Sequence, residues 1–145
     1  MKIAKALKKK NKLVRELGVF LTKAQQNNSI IEGKERSYDP QLMINSANDK
    51  LNELVELKTE ISLANQSVQN KIYKLSELKS FVGAIKGIST DEGPIESSWV
   101  RRDDKVVNYT VKINTLKKDQ MIQDIENEIE QIQEELDIHN HTVDI

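Results

Sequence analysis

The stretch NTLKKDQMIQDIENEIEQIQEELDI, residues 114–138, decides how this chain is read. Within it Ile122, Ile125, Ile129, Ile132 and Leu136 recur at alternating steps of three and four, and carboxylates and amides fill nearly every other place. That is the period of a coiled-coil seam, narrower than the stripe of a helix facing a broad core. A seam of this kind is stable only when other helices cover it, so the remaining elements are expected to be built to meet it.

Composition points the same way. The 145 residues are 37% hydrophobic, 4% aromatic and 31% charged, with five glycines and two prolines. So few rings and turn residues argue against a β-sandwich or an α/β enzyme, and for long helices sharing thin apolar stripes. The length suits a single helical domain, residues 1–145. With 22 Lys and Arg against 23 Asp and Glu, the whole chain has no bias toward polyanions. The absence of cysteine excludes disulfides, thiolate chemistry and cysteine-based zinc sites. Arg15 and Glu16 interrupt the one apolar region near the basic start, Leu13 to Leu21. No run approaches the roughly 20 apolar residues of a membrane span, so a soluble cytoplasmic protein is expected.

Outward from the seam, residues 2–26 form a first helix in which Ile3, Leu7, Val14, Leu17, Leu21 and Ala24 keep a 4-3 spacing broken by Lys10. Ala6, Leu13 and Phe20 widen this stripe. Lys2, Lys5, Lys8, Lys9, Lys10, Lys12, Arg15 and Lys23 against a single Glu16 make the segment strongly basic, mostly away from the stripe. A linker follows, with a turn at Gly33 and with Ile30 and Ile31 expected to tuck against the helices. Asp39-Pro40 then opens a second helix, Asp39 accepting from an orphan backbone N–H and Pro40 occupying a position where its missing donor costs nothing.

That helix runs to Ala64, with Ile44, Ala47, Leu51, Leu54 and Ile61 on one face and Lys58 in the same register. Asn65-Gln66-Ser67 reads as a tight turn, Ser67 capping a third helix over 67–87, although a bent continuous helix is the alternative. Ser89–Pro94 reads as a loop. The period then changes to two: Val107, Tyr109, Val111 and Ile113 alternate with polar residues, as in a half-buried strand. Ser98–Arg101 is its expected antiparallel partner, giving a hairpin over about 98–113. The fold expected is therefore mainly α: four amphipathic helices in a coiled-coil-like bundle, with a small β-hairpin before the last. The last helix carries eight carboxylates against two lysines, and its acid-rich final turns oppose the helix dipole. A basic neighbour is needed, and the first helix is the expected one.

Several strings together resemble a family of small, mostly uncharacterised bacterial proteins, some labelled septicolysin. They are the opening Met1-Lys2-Ile3-Ala4-Lys5-Ala6-Leu7, Ile31-Glu32-Gly33-Lys34-Glu35 leading to Asp39-Pro40, Ile61 through Asn65, Thr110-Val111, and the ending Asn140-His141-Thr142-Val143-Asp144-Ile145. The resemblance spans most of the chain. It implies a helical, coiled-coil-like protein without an established activity, and the label implies a membrane-active one. Lys74-Leu75-Ser76 stands where the family tends to carry Arg-Arg-Asp, and His141 where an aromatic residue is usual, so any role tied to those positions does not carry over.

Residue chemistry is sparse. His139 and His141 with Asp137 form the one metal-like cluster, but residues two apart on a helix point to different faces, and solvated polar side chains are expected instead. The carboxylates of the last helix sit on a wet flank, whereas acid–base catalysis needs a concave, partly dry pocket. No enzymatic activity, catalytic residue, cofactor, metal or small-molecule substrate is assigned.

The expected role is a self-associating scaffold or interaction protein, a homo-oligomer joined through Ile122, Ile125, Ile129, Ile132 and Leu136 together with Trp99, Val107, Tyr109 and Val111 of the hairpin. Trp99 with Arg101 and Arg102 suits an interface anchor or a residue packing the hairpin onto the helices. The alternative is a polyanion-binding module for nucleic acid or an anionic membrane, using Lys2, Lys5, Lys8, Lys9 and Lys12. No aromatic residue interleaves those lysines before Phe20, which disfavours base stacking.

Overall fold

The computed structural model describes residues 1–96 and 106–145. Four helices and a two-stranded antiparallel sheet follow in the expected order: α1 (Ile3–Asn28), α2 (Pro40–Ala64), α3 (Gln69–Lys86), β1 (Gly93–Glu96), β2 (Val106–Tyr109) and α4 (Thr115–Thr142). The mainly helical fold with its hairpin before the last helix is thus as the sequence predicts. The chain divides into two compact units, one of Met1–Gln69 with Leu136–Ile145, the other of Asn70–Glu135.

In the first unit, α1 and α2 form an antiparallel pair. The turn that sends the chain back is local chemistry. Gly33 has φ +82°, a backbone conformation that side chains with a Cβ rarely adopt. Arg36 donates from Nε to the Asn27 carbonyl (2.9 Å) and from Nη2 to that of Asn28 (3.0 Å), satisfying carbonyls that the end of α1 leaves without partners. Asp39 Oδ1 accepts from the backbone N–H groups of Gln41 (2.8 Å) and Leu42 (3.3 Å), and Pro40 is the first residue of α2. Ile31 does not tuck inward as expected: it is 73% exposed, because Arg36 rather than an apolar contact anchors the linker.

The core of this unit is Ala6 and Leu13 of α1 against Leu54, Leu57 and Ile61 of α2, with Leu7, Leu17 and Ile145 packed at its margin. Burying a leucine or isoleucine contributes about 1.5–3 kcal/mol relative to leaving it in water. The 4-3 seam read from sequence is buried at Ile3, Ala24, Ala47, Leu54 and Ile61, but the buried line departs from it elsewhere. Ala6, Leu13 and Leu57, residues that merely broadened the stripes, are buried, while Val14, Leu21, Ile44 and Leu51 of the seam are 41–48% exposed. Two helices alone cover only the line along which they touch.

The first and last residues also meet here. Lys2 and Asp144 form an antiparallel bridge, Ile3 N–H donates to the Val143 carbonyl (3.2 Å), and Ile145 N–H donates to that of Met1 (2.9 Å). Past α2 there is no tight turn. Gln66–Val68 form one turn of 3-10 helix, Asn65 and Gln69 stay in right-handed helical conformation, and Ser67 lies inside that turn instead of capping α3. His139 Nε2 and Asn65 Oδ1 are 3.1 Å apart.

In the second unit α3 and α4 run antiparallel, since Lys71 pairs with Glu135, Lys74 with Glu128 and Lys86 with Glu126. Asn114 caps α4, its Oδ1 accepting from Lys117 N–H (2.8 Å). The hairpin differs from expectation. β1 is Gly93–Glu96, pairing from Gly93↔Tyr109 to Glu96↔Val106, so Gly93 and Pro94 belong to a strand and not to the loop read over 89–94. In a two-stranded sheet both strands are edges, where proline's missing donor is tolerated. β2 ends at Tyr109 and does not extend to Ile113. The expected partner strand Ser98–Arg101, with Trp99, Arg101 and Arg102, lies outside the described residues.

Candidate functional site

Helix α4 carries the seam that the sequence singles out, and its surroundings are the first candidate site. Ile132 and Leu136 are buried at 7% exposure each, whereas Ile122, Ile125 and Ile129 are only half-buried. Within the second unit the facing helix is α3, where Val82 and Ile85 are buried and Ile72, Leu75 and Leu78 half-buried. Glu128 and Glu135 flank the seam on one side and Glu126 on the other, so the three α3 lysines bracket it.

These ion pairs correct the expected electrostatics. Within the second unit the lysines that pair with α4 carboxylates are Lys71, Lys74 and Lys86 of α3, where α1 was the expected basic neighbour. Lys2, just before α1, meets the acidic end of the chain through Asp144 (2.6 Å). Beside Lys71, whose ammonium lies 2.6 Å away, the Glu135 carboxyl is held below the usual carboxylate range by hydrogen bonding and charge. Sequence alone missed this because the α3 lysines are spread thinly among apolar and polar residues, while those of α1 form a conspicuous run.

The basic face of α1 is the second candidate. Of Lys2, Lys5, Lys8, Lys9 and Lys12, three are already engaged: Lys2 with Asp144 and the Thr142 carbonyl, Lys9 with Glu53 (2.8 Å), and Lys12 with Glu16 (3.6 Å). Lys5 and Lys8 are exposed, with no ion pair among the described residues. Glu16 also meets Lys50, whose pKa it raises, chiefly by hydrogen bonding and then by charge. Lys9 hydrogen bonds to Glu53 and pulls that carboxyl down. Beside this network an open groove of about 600 Å³ runs over Val19 and Phe20, edged by Lys12, Arg15, Lys23 and Lys50.

The hairpin offers less. Val107 is 38% and Tyr109 44% exposed, Val111 is half-buried beyond the strand, and Trp99 lies outside the described residues. His139 is partnered by Asn65, His141 is exposed, and no group of three or more metal-ligating side chains is found among the described residues. Among those residues no helix is long and apolar enough to cross a membrane.

A feature not anticipated among the described residues is apolar. Val14 (48%), Leu21 (41%), Ile44 (47%), Leu51 (44%) and Val55 (55%) stay exposed along α1 and α2. The signal was present in the sequence as stripes too wide for one neighbouring helix to cover. No family model matches the chain, and neither a curated protein nor a solved structure is significantly similar to it.

Proposed function

We propose that the protein is a non-enzymatic, self-associating helical scaffold that works in the cytoplasm by joining copies of itself through apolar seams. What carries this reading is the state of α4: among the described residues, Ile122, Ile125 and Ile129 are only half-buried at the positions that a coiled coil seals. Each unit is built from helix pairs, which cannot cover both sides of their own stripes. Contiguous apolar surface of this kind is characteristic of interaction sites.

The test is the solution mass of the full chain across micromolar concentrations. A mass that is a multiple of 16.6 kDa and falls on dilution is expected. Ile125→Lys should reduce it while circular dichroism still reports a helical protein. A monomer throughout the range would overturn the proposal. The polyanion-binding reading through α1 rests on less, since Lys2, Lys9 and Lys12 already have carboxylates of their own.

A further inference from the structure

The two sides of the α1/α2 pair are unlike. On one side lie Lys9, Glu16, Lys50 and Glu53, linked to one another by ion pairs. At 100° per residue, the opposite side of α1 carries Leu7, Val14 and Leu21, and that of α2 carries Ile44, Leu51 and Val55. Around them stand Ala4, Asn11, Gly18 and Gln25 on α1 and Asn45, Asn48, Asn52 and Thr59 on α2, all uncharged. Lys10, between Leu7 and Val14, and Lys58, level with Leu7, are the charges on this side, so the stretch free of charge runs from Val14 and Leu51 to Leu21 and Ile44. The pairs Lys9–Glu53 and Glu16–Lys50 fix the relative heights of the helices, setting Val14 level with Leu51 and Leu21 level with Ile44.

We propose that two copies join through this mainly apolar side, each α1 lying along the partner's α2 about a two-fold axis parallel to the helices. The inference rests on the self-association proposed above and names a surface for it in the first unit. A two-fold axis in that direction preserves heights, so Val14 comes level with the partner's Leu51 and Leu21 with the partner's Ile44, closing a four-helix layer structure.

Charge selects this arrangement over the other two-fold one. The outward edge of α1 bears Lys8 and Arg15, and the outward edge of α2 bears Asp49 and Glu56. All four are exposed, and none has an ion pair among the described residues. Laying α1 on the partner's α2 stacks a basic edge on an acidic one, twice. An axis across the helices would stack α1 on α1 and α2 on α2, like charge on like.

Gly18 adds an independent observation. It sits in the interior of a 26-residue helix, where glycine is unfavourable, and a Cβ built on it meets nothing within 4 Å. The chain by itself gives no reason for a glycine there. On the proposed surface Gly18 lies on the line of approach to the partner's α2, at the height of the partner's Asn48, where a missing side chain lets the helices come close.

The experiment compares full-length variants by sedimentation equilibrium, with circular dichroism as a check on folding. Val14→Glu with Leu51→Glu, both at exposed positions, should raise the dissociation constant about tenfold or more at unchanged helicity. Lys8→Glu with Arg15→Glu should weaken association, and adding Asp49→Lys with Glu56→Lys should restore it. If the native chain associates but the Val14/Leu51 pair leaves its mass unchanged while Ile125→Lys lowers it, this surface is wrong and self-association stands. If the double charge reversal fails to restore association, the proposed arrangement is wrong. A native chain that is monomeric overturns both proposals together.

Discussion

Lys2 and Asp144, 142 residues apart in sequence, are joined by an ion pair of 2.6 Å. Around that pair Met1–Ile3 and Val143–Ile145 exchange backbone hydrogen bonds, so both ends of the first unit are held at one place. Asp144→Asn should therefore loosen the bridge, read as faster amide hydrogen exchange at Ile3 and Ile145. Unchanged exchange there would show that the backbone bonds suffice without the charge.

The same carboxyl sets a pH dependence. Lys2 holds Asp144 below the usual carboxylate range, as Lys9 does Glu53 and Lys71 does Glu135. A depressed folded-state pKa contributes stability above the ordinary carboxylate pKa of about 4, and that stability is lost as pH falls through the folded value. Thermal melts should be flat from pH 7 to 5 and fall below about pH 4. In Lys71→Met the contribution of Glu135 should disappear from that acid limb.

Loss of buried volume should be felt most at Leu13, which is 2% exposed in the centre of the first core. Leu13→Ala should cost about 2–5 kcal/mol by urea denaturation. Val14→Ala, one residue on but 48% exposed, should cost well under half as much when measured at concentrations too low for association.

Two glycines should respond in opposite senses. Gly18→Ala places a methyl group in open space within a helix and should stabilise the dilute chain by about 0.5–1 kcal/mol. Gly33→Ala forces a Cβ onto φ +82° and should destabilise it by about 1–2 kcal/mol. Melting curves of both variants against the native chain are the measurement.

Asp39→Ala should cost about 1 kcal/mol, because Gln41 and Leu42 lose the acceptor for their backbone N–H groups. Asp39→Ser should recover most of it, since a serine oxygen can take the same place.

What could be read from the residues alone was much of what depends on neighbours close along the chain, though not the 3-10 turn at Gln66–Val68 or the strand start at Gly93. Helix spacing, the Asp39-Pro40 start of α2, the turn at Gly33 and the course of α4 are set by side-chain period and backbone preference, and all four helices form within a few residues of where these place them. What depends on distant partners was decided only by the tertiary structure. Which part of a wide apolar stripe is buried depends on the side from which another helix approaches, so Leu13 is covered and Val14 is not. Likewise the lysines that pair with Glu126, Glu128 and Glu135 come from α3, and the strand that pairs with β2 begins at a glycine and a proline. Local sequence sets which faces a helix has to offer; packing between helices in three dimensions decides which of those faces are met and which stay open.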